Sequence, residues 1–167
     1  MKIGCITISD RANAGIYEDL SGPEIKRLLR AVFGAEAQFV SAIVPDEIPQ
    51  IAGKLCEFAD REHCDLIVTT GGTGISARDV TPEATREILE KELPGFGEIM
   101  RMRSFAKVPT AILSRATAGT RGTSLIVNLP GKPSAVAECL GILAHALREG
   151  IAHLHGADPH TKPVSTA

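Results

Sequence analysis

Five short apolar runs, separated by longer stretches with apolar residues at helical spacing, constrain this chain more than any other feature. Residues 3–8 (IGCITI), 38–44 (QFVSAIV), 65–70 (DLIVTT), 110–114 (TAILS) and 124–128 (SLIVN) have the length and the β-branched content of strands. Leu66, Ile67 and Val68 are apolar without alternation, and so are Leu125, Ile126 and Val127. A strand of that kind needs cover on both faces, which is the condition of a parallel sheet with helices above and below.

The stretches between the runs have legible helix signals. Ser21 and Glu24 stand at capping-box spacing, and Ile25, Leu28, Leu29 and Val32 continue one apolar face. Ile48, Ile51, Ala52, Leu55, Phe58 and Ala59 repeat in the same way after Pro45 and Asp46. Thr81, Pro82 and Glu83 supply an N-cap, a proline for the first turn and a first-turn acid. The last helix is expected over about 133–148, striped by Val136, Leu140, Leu143 and Leu147, with Gly150 as its stop. Alternating strand and helix predicts an α/β fold, a three-layer α/β/α sandwich with a mostly parallel sheet. A chain of 167 residues has room for one such domain, here residues 1–150, followed by a polar, proline-containing tail over 151–167.

Composition narrows the partners. The formal net charge is −2, with five Phe, one Tyr and no Trp, so neither a global basic field nor a stacking platform is available for nucleic acid. The N-terminal run reads as a strand rather than a leader, and no run approaches the roughly 18 apolar residues of a membrane span. Cys5, Cys56, Cys64 and Cys139 show no paired spacing and read as reduced thiols, which points to the cytoplasm. His63 and His145 fall on expected helices, while His153, His155 and His160 crowd the tail.

In a parallel sheet ligands bind beyond the carboxyl ends of the strands. The expected loops there are 9–20, 45–47, 71–80, 114–123 and 128–133. Arg11, Arg78, Arg115, Arg121 and Lys132 all fall in them, although the chain is acidic overall. Gly71, Gly72 and Gly74, interleaved with Thr69, Thr70 and Thr73, offer exposed backbone N–H groups and small donors. Glycine-rich backbone with convergent cations is the composition of a phosphate site. Asp10, Asp46 and Asp79 share these loops, and carboxylates beside phosphate hold Mg²⁺. Each has an ordinary alternative: Asp46 as a helix cap, Asp79 as a turn residue, Asp10 as a partner of Arg11. Residues 72–77 also fit G-x-G-x-x-A, but the match follows the third strand and the helix starts only at Thr81, so a dinucleotide fingerprint is not indicated.

Taken together, TISDRANAG, VPDE, TTGGTGISARDVTPEAT, LPGFGEIMR, AILSRATAGTRG and IVNLPGKPSAVAECL resemble the motifs of the MogA/MoaB-type molybdopterin adenylyltransferases, from about residue 3 to 148. The resemblance implies an α/β/α trimer that adenylylates molybdopterin with ATP and Mg²⁺, releasing pyrophosphate. It puts the essential aspartates on Asp46 and Asp79, both also expected as Mg²⁺ ligands. For that chemistry Gly71, Gly72, Thr73 and Gly74 are assigned to cradling phosphate by backbone N–H groups. Asn128, Pro130, Gly131 and Lys132 line the nucleotide side, and Asp10, Ser114 and Arg115 the pterin side. A downstream molybdenum-insertion enzyme is the implied partner. The rival readings are a non-catalytic molybdopterin-binding scaffold and a CinA-like hydrolase. Phe96, Ile99, Met100, Met102 and Phe105 within residues 93–113 are expected either to face another subunit or to pack on the chain's own sheet.

Overall fold

The computed structural model describes residues 1–157. Its elements are β1 (Lys2–Ile8), the single-turn helix α1 (Asp10–Asn13), α2 (Ser21–Phe33), β2 (Gln38–Val44), α3 (Ile48–Cys56), β3 (Leu66–Thr70), α4 (Thr81–Arg86), β4 (Lys91–Glu92), α5 (Pro94–Phe105), β5 (Ala118–Arg121), β6 (Ser124–Leu129) and α6 (Pro133–Leu154). A π-helical turn, Glu57–Arg61, extends α3, and a 3-10 turn, Pro109–Leu113, follows α5.

The strand order is β2-β1-β3-β6-β5-β4. Strands β2, β1, β3 and β6 are parallel, and β5 runs antiparallel to both β6 and β4. Leu66, Val68, Leu125 and Val127 point into one core with α2, α5 and α6. Ile67 and Ile126 point into a second core with α3 and α4. This is the expected sandwich: the non-alternating runs of β3 and β6 are buried along their whole length because helices cover both faces. The chain leaves β1 for β2 on one side and returns to β3 on the other. The crevice at the carboxyl ends of β1 and β3 is therefore the switch point of the sheet. No helix among the described residues is long and apolar enough to cross a membrane.

Several expectations change. Residues 110–114 are not a strand. Pro109 opens a 3-10 turn there, and Ile112 and Leu113 are exposed. The strand lies further on, in the small-residue segment Ala118–Arg121. Its Gly119 has no room for a side chain, since a Cβ would stand 2.4 Å from the Lys91 carbonyl oxygen. Ser21 forms no capping box; Asp19 Oδ1 instead accepts the Ser21 and Gly22 N–H groups at 3.0 and 2.9 Å. Glu24 pairs with Arg27. Gly150 does not stop the last helix, which continues to Leu154. His63 is not helical; it takes a left-handed φ of 49° before β3. His155 is tied to Asp65 at 2.9 Å. His160 and the rest of the expected tail beyond Ala157 lie outside the described residues.

Candidate active site

The segment after β3 turns sharply because Gly71 and Gly72 take φ of 99° and 61°, a region open to glycine at little steric cost. Space forbids a side chain there as well. A Cβ on Gly71 would lie 2.2 Å from the Ile8 carbonyl oxygen, and one on Gly72 would lie 2.3 Å from Thr81 Oγ1. Thr81 is fully buried at the start of α4, and its hydroxyl donates to the Gly71 carbonyl at 2.9 Å. Helix α4 therefore begins one residue earlier than the motif predicts, with Val80 at the N-cap position, and Thr81 holds the glycine turn instead of capping the helix. Pro82 keeps its place in the first turn, where a missing N–H costs nothing.

Asp46 stands at the carboxyl end of β2 and caps no helix; Glu47 occupies the N-cap position of α3. Asp46 Oδ2 accepts the Asp10 N–H at 2.8 Å, and Asp10 Oδ1 accepts the Asp46 N–H at 3.0 Å. Arg78 closes this reciprocal pair. Its guanidinium donates to both oxygens of Asp10 at 3.0 and 2.9 Å and bridges to Glu47 at 2.8 Å. Arg78, not Arg11, is thus the partner of Asp10. Arg11 lies over the Tyr17 ring at 5.7 Å. Burial, aided by the negative charges of Asp10 and Asp79, pushes the Asp46 carboxyl above its ordinary range. Asp79 folds back on its own loop, with Oδ2 accepting the Ser76 N–H at 2.8 Å.

Two cavities meet here. The smaller, about 250 Å³, is lined by Thr7, Asp19, Asp46, Gly71, Gly72 and Asp79 among others. The larger, about 570 Å³, is lined by Thr73, Gly74, Arg101, Ser114, Lys132 and Glu138 among others. Asp79 and Gly131 belong to both walls. One carboxylate beside the glycine turn thus separates an acidic compartment from a roomier one that includes two cations and the apolar Ile75, Met100 and Leu113.

Of the sequence-predicted residues, Asp46, Asp79, Gly71, Gly72, Thr73, Gly74, Ser114, Pro130, Gly131 and Lys132 line one or both cavities. Ser114 and Lys132 share a cavity, so the fold does not divide them between two sides. Asn128 lines neither cavity. It is fully buried, and its amide nitrogen donates to the Thr69 and Thr85 hydroxyls at 3.0 and 2.9 Å. Arg115 also turns away from both. It donates to the Gly74 carbonyl at 2.6 Å, to the Asp79 carbonyl and to Glu83. Arg121 ends antiparallel β5 opposite Ser124, at the amino ends of the parallel strands, where it pairs with Asp60 at 2.7 Å. The reversal of β5, unforeseen in the pattern, is what carries it away.

Sequence reasoning missed Asp19, Thr7 and Arg101. Asp19 had a usable signal, an acid two residues before a helix start, and Arg101 closes the LPGFGEIMR motif but was given no role.

Comparison with known proteins places the chain in a family. Residues 4–149 match the family model described as a probable molybdopterin binding domain. A molybdopterin adenylyltransferase of Helicobacter pylori is 54% identical over 140 residues, covering 84% of this chain and 80% of the relative. The Escherichia coli molybdopterin adenylyltransferase is 43% identical over 156 residues, covering 93% and 79%. The crystal structure of a molybdopterin biosynthesis enzyme, MoaB, from Thermus thermophilus superposes with a TM-score of 0.83 at 42% identity, covering 93% of this chain and 96% of that one.

Proposed function

Since the chain belongs to the molybdopterin-binding domain family, we propose that it is a molybdopterin adenylyltransferase, joining molybdopterin to the adenylyl group of ATP in molybdenum cofactor biosynthesis. The observation that carries the chemistry is the meeting of two cavities at Asp79, beside a glycine turn too tight for any side chain. A terminal phosphate oxygen of the pterin bonds to the α-phosphorus of ATP while the bond to pyrophosphate breaks. Both reactants are polyanions, so alignment and charge compensation supply most of the acceleration. The 71–74 turn holds phosphate oxygens by backbone N–H groups, and Lys132 and Arg101 offset charge in the larger cavity. No side-chain nucleophile is required.

Mg²⁺ fits the donor set. Burial and like-charge neighbours leave Asp46 short of positive charge, and no cage of three acidic, His or Cys side chains forms among the described residues. A cation bound through one or two carboxylates plus phosphate oxygens is the common habit of Mg²⁺. Asp46 and Asp79 would hold it, and it would neutralise phosphate charge.

We propose further that the protein is a homotrimer. Ile99, Met102 and Phe105 of α5, with Val108, Ile112 and Leu113 after it, are exposed together, and Met102, Phe105 and Ile112 line a mainly apolar hollow. A face of that kind calls for cover by another subunit. The free cysteines suit the reducing cytoplasm, where a molybdenum-insertion enzyme would take the product.

Incubation with molybdopterin, ATP and Mg²⁺, followed by separation of adenylyl-molybdopterin, tests the activity. Tight molybdopterin binding with no adenylylated product would make the chain a scaffold instead.

A further inference from the structure

Resting on the reading of the 71–74 turn as a phosphate cradle, we infer that Thr81 and Arg115 are positioning residues that set its polarity by binding its carbonyl oxygens and so turning its N–H groups the other way. The hydrogen bonds of the turn divide unevenly. Gly71 O accepts from Thr81 Oγ1 at 2.9 Å, and Gly72 O from the Thr81 N–H at 3.1 Å. Thr73 O accepts from the Arg115 N–H at 2.8 Å, and Gly74 O from Arg115 Nε at 2.6 Å. Two residues thus bind every carbonyl from Gly71 to Gly74. The N–H groups of Gly72, Thr73, Gly74 and Ile75 have no partner among the described residues.

Planarity makes the two halves of this pattern one fact. In a trans peptide the carbonyl of one residue and the N–H of the next point in opposite directions. Fixing four successive carbonyls on Thr81 and Arg115 therefore aims four successive N–H groups away from them, on a segment whose residues line the two cavities. Glycine is the residue best able to flip its flanking peptide planes. A turn with several glycines needs an outside restraint, or it will spend time presenting oxygen to an anion.

The remaining bonds support this. Thr81 is anchored through its own carbonyl, which accepts from Thr85 Oγ1 at 2.8 Å, and Thr85 in turn accepts from Asn128. Arg115 spends three donors of its rigid fork on Gly74 O, Asp79 O and Glu83, and it lines neither cavity beside Asp79. It acts on phosphate through the loop and not by its own charge.

The experiment compares wild type with Thr81→Val, Thr81→Ser and Arg115→Lys, using inorganic pyrophosphate as the probe. Calorimetry gives affinity, and amide resonances of residues 72–75 in labelled protein report the N–H groups directly. Pyrophosphate is expected to move these resonances downfield in wild type and in Thr81→Ser. In Thr81→Val and Arg115→Lys the shifts should shrink and affinity should fall about tenfold or more. Arg115→Lys keeps the charge at a partly exposed position, so it stays informative if the buried Thr81→Val does not fold. Wild-type affinity in Arg115→Lys, or equal affinity in Thr81→Val and Thr81→Ser, overturns the inference. Unmoved wild-type amides with adenylylation intact also overturn it, but leave the proposed activity standing. Moved amides without any adenylylated product sink the activity and leave the role of Thr81 and Arg115 in place.

Discussion

Gly72→Ala places the smallest possible side chain at the turn between the two cavities, and its cost can be built from the structure. Alanine at φ of 61° pays roughly 1 kcal/mol for left-handed backbone. Its Cβ would stand 2.3 Å from Thr81 Oγ1 and 3.0 Å from Asp46 Oδ1. Thr81 cannot swing aside, because it is fully buried and bonded to Gly71. Breaking that bond costs about 1 kcal/mol, and the overpacking about 1–3 kcal/mol more. The sum is about 3–5 kcal/mol. At about 2–4 °C per kcal/mol for a domain of this size, the melting temperature should fall by roughly 10 °C. Gly122→Ala isolates the backbone term, since its φ of 53° is near that of Gly72 and nothing lies within 4 Å of the new methyl. Gly53→Ala, within α3 and also unobstructed, should be neutral or slightly stabilising. Scanning calorimetry of the three variants decides the matter. If Gly72→Ala loses no more than Gly122→Ala, the crowding by Thr81 and Asp46 is not real and the account of the turn fails.

Asp79→Asn keeps the acceptor that takes the Ser76 N–H but loses the charge, so adenylylation should drop about 100-fold or more at nearly unchanged melting temperature; near-normal turnover would remove Asp79 from the chemistry. Asp46 is held above its ordinary 3.8, so the native state grips this proton more tightly than the unfolded chain does, and ionisation costs stability. That cost is absent below the ordinary value and enters as pH rises through the raised one; thermal melts of Asp46→Asn should therefore lie above the parent at neutral pH and converge with it in acid, the reverse order contradicting the shift. Asn128→Ala deprives the buried Thr69 and Thr85 hydroxyl oxygens of their amide donor and should cost about 2–3 kcal/mol in a denaturant titration, whereas intact stability with weakened ATP binding would return Asn128 to the substrate. Sedimentation at micromolar concentration is expected to show a trimer, and a clean monomer refutes it.

The layers of this protein were legible because burial on both faces leaves an unambiguous mark. Leu66, Ile67 and Val68 cannot all be apolar in a strand that faces water on one side. The glycines of the turn were legible for a related reason, since left-handed backbone and close approach leave few alternatives at Gly71 and Gly72. Residues 110–114 and 118–121 were misread because a short apolar run has no period to distinguish strand from turn, and because β5 is built of residues too small to register as apolar.

What local pattern did not determine was direction. Arg115 and Arg121 look alike in sequence, six positions apart in one basic, glycine-containing segment. An antiparallel strand between them carries Arg121 to the far end of the sheet, and Arg115 faces the carbonyls of the loop instead of the cavity. Asn128 sits in a motif rich in site residues, yet the pleat turns it into the core, while Gly131 and Lys132 pass beyond the strand end to the cavity. Composition and spacing place donors and charges near one end of a sheet. Which way each points depends on strand direction, pleat and hydrogen bonds to residues 10 to 68 positions away, and those exist only once the chain has folded.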